Sequence, residues 1–377
     1  LKHFAESMKR FAIALFLCLT VLQIQGKGTK PPVRLAIIGL AHDAVGDFIL
    51  RARNHPDVRL VGIVEPSQEL VTRYAKLYNL NTNFFSASLD DLLAKINVQA
   101  ATVFSSTFDH RRIVELCAGH HIHVMLEKPL AVNMEHALAI EQAAKKGGIQ
   151  VIVDYETTWY PADRTAYTFV HDRQAIGEVR KIVYCAGNKG PKETGCSDAF
   201  IDWLTDPKLN GGGALIDFGC YGADATTWFM NGERPTSVFA VTQHIKPDIY
   251  PKVEDEATIV VTYPHAQGII QASWNLPFDQ RKLEVYGNAG YVFVPQMDSL
   301  QVRQAGTEES ELNLPARPTT DPNGDDISYF AAVARGEIQP SGPSSLKVNL
   351  ITTEILDAAR KSAKSGKKID LPRNAAW

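Results

Sequence analysis

From residue 33 the chain alternates short apolar runs with helical patterns, and this rhythm limits the fold more than any other feature. The runs cover residues 33–40, 58–64, 100–104 and 123–126, with helical periodicity to about His55, Tyr78 and Gly119 between them. Apolar runs without in-out alternation are buried on both faces. With a helix between successive strands they make βαβ units and a parallel sheet. After Tyr155 the rhythm changes. Residues 181–185, 237–242, 258–263, 269–274, 283–286 and 291–294 follow one another with turn residues between, as antiparallel strands do. The expected class is α/β: a parallel-sheet domain, then an α+β domain with a large, mainly antiparallel open sheet. Residues 306–326 read as an exposed loop, and residues 346–365 as a closing helix that stops near Gly366.

Ahead of this pattern, Lys9 and Arg10 precede an apolar run over 11–22 that stops at Gln23, Gln25, Gly26 and Lys27. That is the layout of a signal peptide, too short for a comfortable membrane span. Residues 1–26 are expected to be removed, with Met8 an alternative start, leaving a periplasmic or secreted protein without a membrane anchor. The 377 residues carry 39 Lys and Arg against 42 Asp and Glu, so no basic surface favours nucleic acid. Cys18 leaves with the signal. Cys117, Cys185, Cys196 and Cys220 lack zinc-site spacing and read as buried thiols, with 185 and 196 the one pair to check for a disulfide. His120, His121 and His123 have no matching carboxylate nearby in sequence, and no metal site is expected.

Gly39 ends the first strand where a dinucleotide-binding turn begins. Against G-x-G-x-x-G, only Gly39 is a glycine, with Ala41 and Ala44 at the second and third positions and His42 between them. Glu65 closes the second strand, where an acidic side chain can accept hydrogen bonds from ribose hydroxyls and would repel a 2′-phosphate. The expectation is NAD, with NADP the alternative, in a Rossmann domain over residues 33–155. Residues 156–345 then form the α/β substrate and oligomerisation domain, and 346–377 the closing helix and tail.

Two further constellations carry chemistry. Glu127-Lys128-Pro129 stands at the C-terminal end of a parallel strand, where open α/β sheets bind ligands. Far downstream, three glycines (211–213) open a helical stretch on which Asp217, Tyr221 and Asp224 share one face at i, i+4, i+7 spacing. Tyr155 and Trp159 can stack on a sugar ring, or pack in the core as aromatic residues more often do.

E-K-P followed by G-G-G-A-x-x-D-x-G resembles the glucose-fructose oxidoreductase, inositol dehydrogenase and rhizopine-catabolism family, Gfo/Idh/MocA, over residues 33–372. The resemblance implies a nicotinamide cofactor, a small-molecule sugar or cyclitol substrate, and a homo-oligomer built on the open sheet. It implies that Lys128 is the catalytic lysine and Asp217 the active-site aspartate. Many members have His four residues after that aspartate; Tyr221 stands there, as in the branch with a tyrosine acid/base. It also places Ser105, His110, Glu127 and Lys128 beside the cofactor, with a solvated loop an equal alternative for His110. Removing hydride from a carbinol requires loss of the hydroxyl proton, and an unassisted Tyr is a poor base at neutral pH. Lys128 is therefore expected to lower the Tyr221 pKa, with Asp217 orienting the lysine or the substrate.

The expected activity is sugar oxidation by hydride transfer. The alternatives are glycoside cleavage through transient oxidation and elimination, and non-catalytic sugar binding suggested by Ala41. An exported enzyme meets no ready supply of free nucleotide, so the cofactor is expected to be tightly retained through a redox-neutral cycle.

Overall fold

The computed structural model describes residues 30–313 and 323–372. The segment read as a signal peptide lies outside them. From Val33 onward the described residues form one compact unit.

Six strands build the first sheet: β1 (Val33–Ile38), β2 (Val58–Val64), β3 (Phe85–Ser86), β4 (Ala100–Val103), β5 (His123–Glu127) and β6 (Val151–Asp154). All neighbours are parallel, in the order β3-β2-β1-β4-β5-β6. The order reverses between β1 and β4, which opens a crevice at their C-terminal ends. Helices cross between the strands and stop where the chemistry requires. Asn133 caps Met134–Gly147 by accepting from His136 N, and Gly148 ends it in the left-handed region at φ 63°.

The second sheet holds β7 (Val179–Gly187), β8 (Ser237–Gln243), β9 (Glu256–Thr262), β10 (Gln267–Ser273), β11 (Gln280–Gly287), β12 (Gly290–Gln296), β13 (Ser299–Gln304), β14 (Ser310–Asn313) and β15 (Ile369–Asp370). Their order is β14-β13-β12-β11-β7-β10-β9-β8-β15, antiparallel throughout except for β7 with β10. One face buries Val238, Ala240, Ile259, Ile270 and Val285. The helix Gly219–Phe229 approaches this face so closely that a Cβ on Gly222 would lie 2.4 Å from Ile270 Cγ2. The other face leaves Phe239 38% and Val241 52% exposed.

Two features depart from the sequence reading. β14 falls inside the segment expected to be a loop, whose residues 314–322 lie outside the described ones. A helix at Asp326–Ala334, capped by Asp325, was not anticipated. Its Ile327, Tyr329, Phe330 and Val333 join the core cluster of Val33, Leu35, Ile37, Val45 and Phe48, so the chain returns to the first sheet after completing most of the second. Each such side chain stabilises by roughly 1.5–3 kcal/mol on burial, which pins the return. The closing helix runs Leu346–Ser365 and ends at Gly366 with φ 65°, as the sequence indicates.

Candidate active site

The C-terminal ends of β1, β5 and β6 deliver one wall of a 480 Å³ cleft: His42 after β1, Glu127 and Lys128 at β5, Asp154 at β6, then Glu156 and Trp159 on a 3-10 turn. The peptide Lys128–Pro129 is cis. The stretch after the glycine run brings Asp217, Phe218 and Tyr221 to the same cleft. Gly211 has φ 95°, and a Cβ on Gly213 would lie 1.9 Å from Glu254 O, so only glycine lets the chain pass there. The run leads into a short helix, Ala214–Asp217. Phe218 interrupts it before Gly219–Phe229 begins, so Asp217, Tyr221 and Asp224 do not lie on one continuous helix as expected.

Asp217 and Tyr221 both line the cleft, whereas Asp224 does not. It is buried, its carboxyl pushed well above the usual range by loss of solvent, and it faces Tyr155 from within the core. Tyr155 is likewise fully buried and meets Tyr221 edge-on at 5.5 Å. Neither can touch a substrate, which corrects both assignments. Trp159 does line the cleft and donates from Nε1 to Asp154 Oδ1 at 2.7 Å.

Lys128 Nζ lies 2.6 Å from Asp217 Oδ1, and Trp274 Nε1 donates to Asp217 Oδ2 at 2.9 Å. Burial opposes both charges, but each favours the other strongly enough to win. Lys128 is held above its ordinary value and Asp217 below. The lysine is thus a fixed cation and hydrogen-bond donor, not a base.

Tyr221 departs from expectation. Its pKa is pushed well above 10, first by burial and then by the Glu156 carboxylate; the principal opposing charge is Arg281, not Lys128. The reason is geometric. Lys128 is committed to Asp217 and lies 5.1 Å from the Tyr221 ring centre, while the Arg281 guanidinium lies 4.8 Å from it. Arg281 pairs with Glu156 at 2.6 Å, and the Tyr221 hydroxyl donates to the same Glu156 oxygen at 3.4 Å. Arg51 grips Asp326 bidentately at 2.5 and 3.0 Å.

Glu156, Arg281, Arg51 and Asp326 were not found from sequence. Glu156 adjoins the Tyr155 singled out there, but the others carry no local motif.

Buried Glu127 is pushed up to about 7 by desolvation, against the pull of Lys128. Burial and the Lys128 charge depress His42 to about 3, so its 3.8 Å contact with Glu127 is not an ion pair at neutral pH.

A second cavity of 590 Å³ lies at the β1–β4 switch, lined by Gly39, Ala41, Glu65, Ser105 and Arg112. Gly39 has φ 88°, and a Cβ there would stand 2.9 Å from Phe104 O. Both Glu65 oxygens accept backbone N–H groups, from Leu40 and Ser67 at 2.8 Å each, and each keeps a lone pair for another donor. A crevice with a tight glycine turn, an acceptor carboxylate and a guanidinium fits an extended dinucleotide. His110 lines neither cavity; it is buried with Nδ1 3.2 Å from Leu130 O, which corrects both readings of it.

The helix Asp198–Leu204 forms the partition. Phe200 and Leu204 line the Lys128 cleft, and Ala199, Asp202 and Trp203 line the glycine crevice. It is fastened to the glycine turn at both ends. Ser197 donates to Asp43 from its hydroxyl at 2.5 Å and its N–H at 2.8 Å, and Trp203 Nε1 donates to Ala41 O at 3.2 Å. The four described cysteines are free, Cys185 and Cys196 included.

The family described as "Oxidoreductase family, NAD-binding Rossmann fold" matches residues 33–155, and the "GFO/IDH/MocA C-terminal domain" matches residues 169–293. The trans-1,2-dihydrobenzene-1,2-diol dehydrogenase of Xenopus laevis is 25% identical over 297 residues, covering 77% of this chain and 84% of the relative. The aldose-aldose oxidoreductase from Caulobacter crescentus complexed with glycerol shares the fold at TM-score 0.76 and 23% identity, over 90% of this chain and 100% of that one. An inositol dehydrogenase homolog complexed with NAD+ from Azotobacter vinelandii does so at TM-score 0.78 and 19% identity, over 92% and 99%.

Proposed function

The chain belongs to the Gfo/Idh/MocA family of nicotinamide-dependent oxidoreductases, and on that premise we propose that it removes hydride from a hydroxyl-bearing carbon of a sugar or sugar derivative. One observation carries the reading. A charged lysine, its aspartate and a phenol converge on a cleft that shares a wall with the dinucleotide crevice.

Gly39, Ala41, Glu65, Ser105 and Arg112 would hold the dinucleotide, which supplies the hydride acceptor when bound. Lys128, kept protonated by Asp217, donates to the substrate oxygen and steadies the negative charge that grows there as the C–H bond breaks. Asp217, itself fixed by Trp274, sets the direction of the ammonium. Tyr221 exchanges the proton at the same oxygen.

Tight retention of the cofactor belongs to the same proposal. Its support is the Asp198–Leu204 helix, fastened across the turn between the two cavities that one dinucleotide would join. Export is supported by the Lys9–Leu22 pattern, and pairing with a second copy by the exposed Phe239 and Val241 face.

The test is turnover of a panel of aldoses, cyclitols and their glycosides with NAD and NADP, in the native chain and in Lys128→Ala and Tyr221→Phe. Both variants should lose turnover far more than substrate binding. Unchanged turnover in both would refute the roles given to them.

A further inference from the structure

The phenol of Tyr221 cannot act alone as a base, and its surroundings show where its own proton can go. We infer that Glu156 is the outer station of a proton path running from the substrate hydroxyl through Tyr221 to water. The inference rests on Tyr221 facing the substrate, as proposed above.

Tyr221 is buried, and its hydroxyl donates to Glu156 Oε1 at 3.4 Å. Glu156, by contrast, keeps 48% of its side chain exposed, so the carboxylate joins the buried phenol to solvent. Arg281, 12% exposed, holds that same oxygen at 2.6 Å while its guanidinium covers the rings of Tyr221 and Phe218 at 4.8 and 5.0 Å. The remaining titratable groups facing Tyr221 and its Arg281–Glu156 pair are Asp279 on Arg281, Lys128 and Glu127 at the end of β5, Asp217, Cys220 beside Tyr221, and the phenols of Tyr155, Tyr160 and Tyr184.

A free phenolate here would stand beside a carboxylate. With the phenol held well above 10 by burial and by Glu156, fewer than about one in a thousand molecules would carry it at neutral pH. A coupled transfer avoids that state. The substrate O–H breaks as a new Tyr221 O–H forms, and the original phenolic O–H breaks as Glu156 Oε1–H forms. With a dinucleotide bound, the C–H electron pair would leave as hydride to its nicotinamide ring and the substrate would become a carbonyl. Glu156 then releases its proton to water, and the reverse order serves reduction. The local negative charge never exceeds the one Arg281 already balances. Glu156 is thus a positioning and relay residue, acting through Tyr221.

Two measurements test it. With 3-fluorotyrosine placed at position 221, the fluorine resonance should move between the native chain and Glu156→Gln, because the phenol loses its carboxylate acceptor. With the fastest substrate of the panel, Glu156→Gln should lower kcat by about tenfold to a hundredfold with KM changed much less. Glu156→Ala should be partly rescued by added formate, and Glu156→Asp should retain intermediate turnover. An unmoved fluorine resonance at residue 221, or kcat within twofold in Glu156→Gln, would overturn the relay. So would a loss of activity that formate leaves untouched, since a purely structural role for the Glu156 side chain predicts that result. Full activity of Tyr221→Phe would instead refute the role of the phenol itself, so the two failures are distinguishable.

Discussion

Replacing Lys128 with Met should cost far more stability than its single ion pair would on a surface. Lys128 and Asp217 are only 11% and 10% exposed, and their contact is 2.6 Å. Exposed pairs contribute about 0–1 kcal/mol, whereas removing one partner of a buried pair costs roughly 3–5 kcal/mol because the other charge is stranded. Asp217 would be left with the Trp274 donor and only the weaker pull of the Arg281 charge. Lys128→Met and Asp217→Asn should therefore each lose about 3 kcal/mol in urea unfolding, and the double variant less than their sum, with coupling on the order of 2 kcal/mol. All three should lack turnover, which separates folding from chemistry. The pH window follows from the two directions. The aspartate, depressed from 3.8, stabilises above that value and loses its contribution as pH falls through its folded pKa. The lysine, raised from 10.5, stabilises below that value and loses its contribution as pH rises beyond it. The coupling should be flat between about pH 5 and 10 and shrink outside. Additive losses below about 1 kcal/mol each would show that water screens the pair and refute the reasoning.

Glu127, raised from 4.5 to about 7 by burial, loses stability for the fold as pH rises through that interval. Glu127→Gln should match the native chain near pH 4.5 and be more stable by up to about 3 kcal/mol at pH 8 in denaturant titrations at both pH values. Gly39→Ala puts a Cβ 2.9 Å from Phe104 O at φ 88°, so calorimetry should show at least a tenfold weaker affinity for NAD, together with a loss of roughly 1–2 kcal/mol in stability. Protein purified without added nucleotide should carry it near stoichiometrically. Ser197→Ala and Trp203→Phe, each removing a fastening of the partition helix, should raise its release rate about tenfold, read from protein-bound nucleotide after timed dilution.

The parallel sheet was legible because each strand and helix carries its own periodicity, and helix ends such as Gly366 carry local chemistry. Lys128, Asp217 and Tyr221 were legible because strand ends and glycine openings mark where an α/β fold exposes side chains. What failed was continuity. A helical face drawn from Asp217 to Asp224 ignored that Gly213 and Phe218 bend the backbone around Glu254, which only the tertiary approach reveals. Tyr155 failed for a related reason: an aromatic residue beside a cleft can face it or support it, and the following residue, Glu156, took the cleft.

The partner of the phenol shows where such reading stops. Sequence offered Lys128 as the cation for Tyr221 because both belong to recognisable motifs. A buried ammonium, however, settles on the partner that best repays its desolvation, and Asp217 at 2.6 Å does so better than a ring centre at 5.1 Å. Once the lysine is committed, the phenol needs another cation, which comes from Arg281, 60 residues downstream at the start of β11. β11 reaches Tyr221 only because it pairs with β7 in the register that sets Arg281 opposite Ala186. No motif encodes that neighbour. Its position depends on the hydrophobic alternation of β7 and β11, with Ile182, Tyr184 and Ala186 facing inward beside Leu283 and Val285. A one-residue slip would turn those side chains outward and carry Arg281 to the other face. The electrostatics of the reacting phenol are therefore set by the packing of the second sheet.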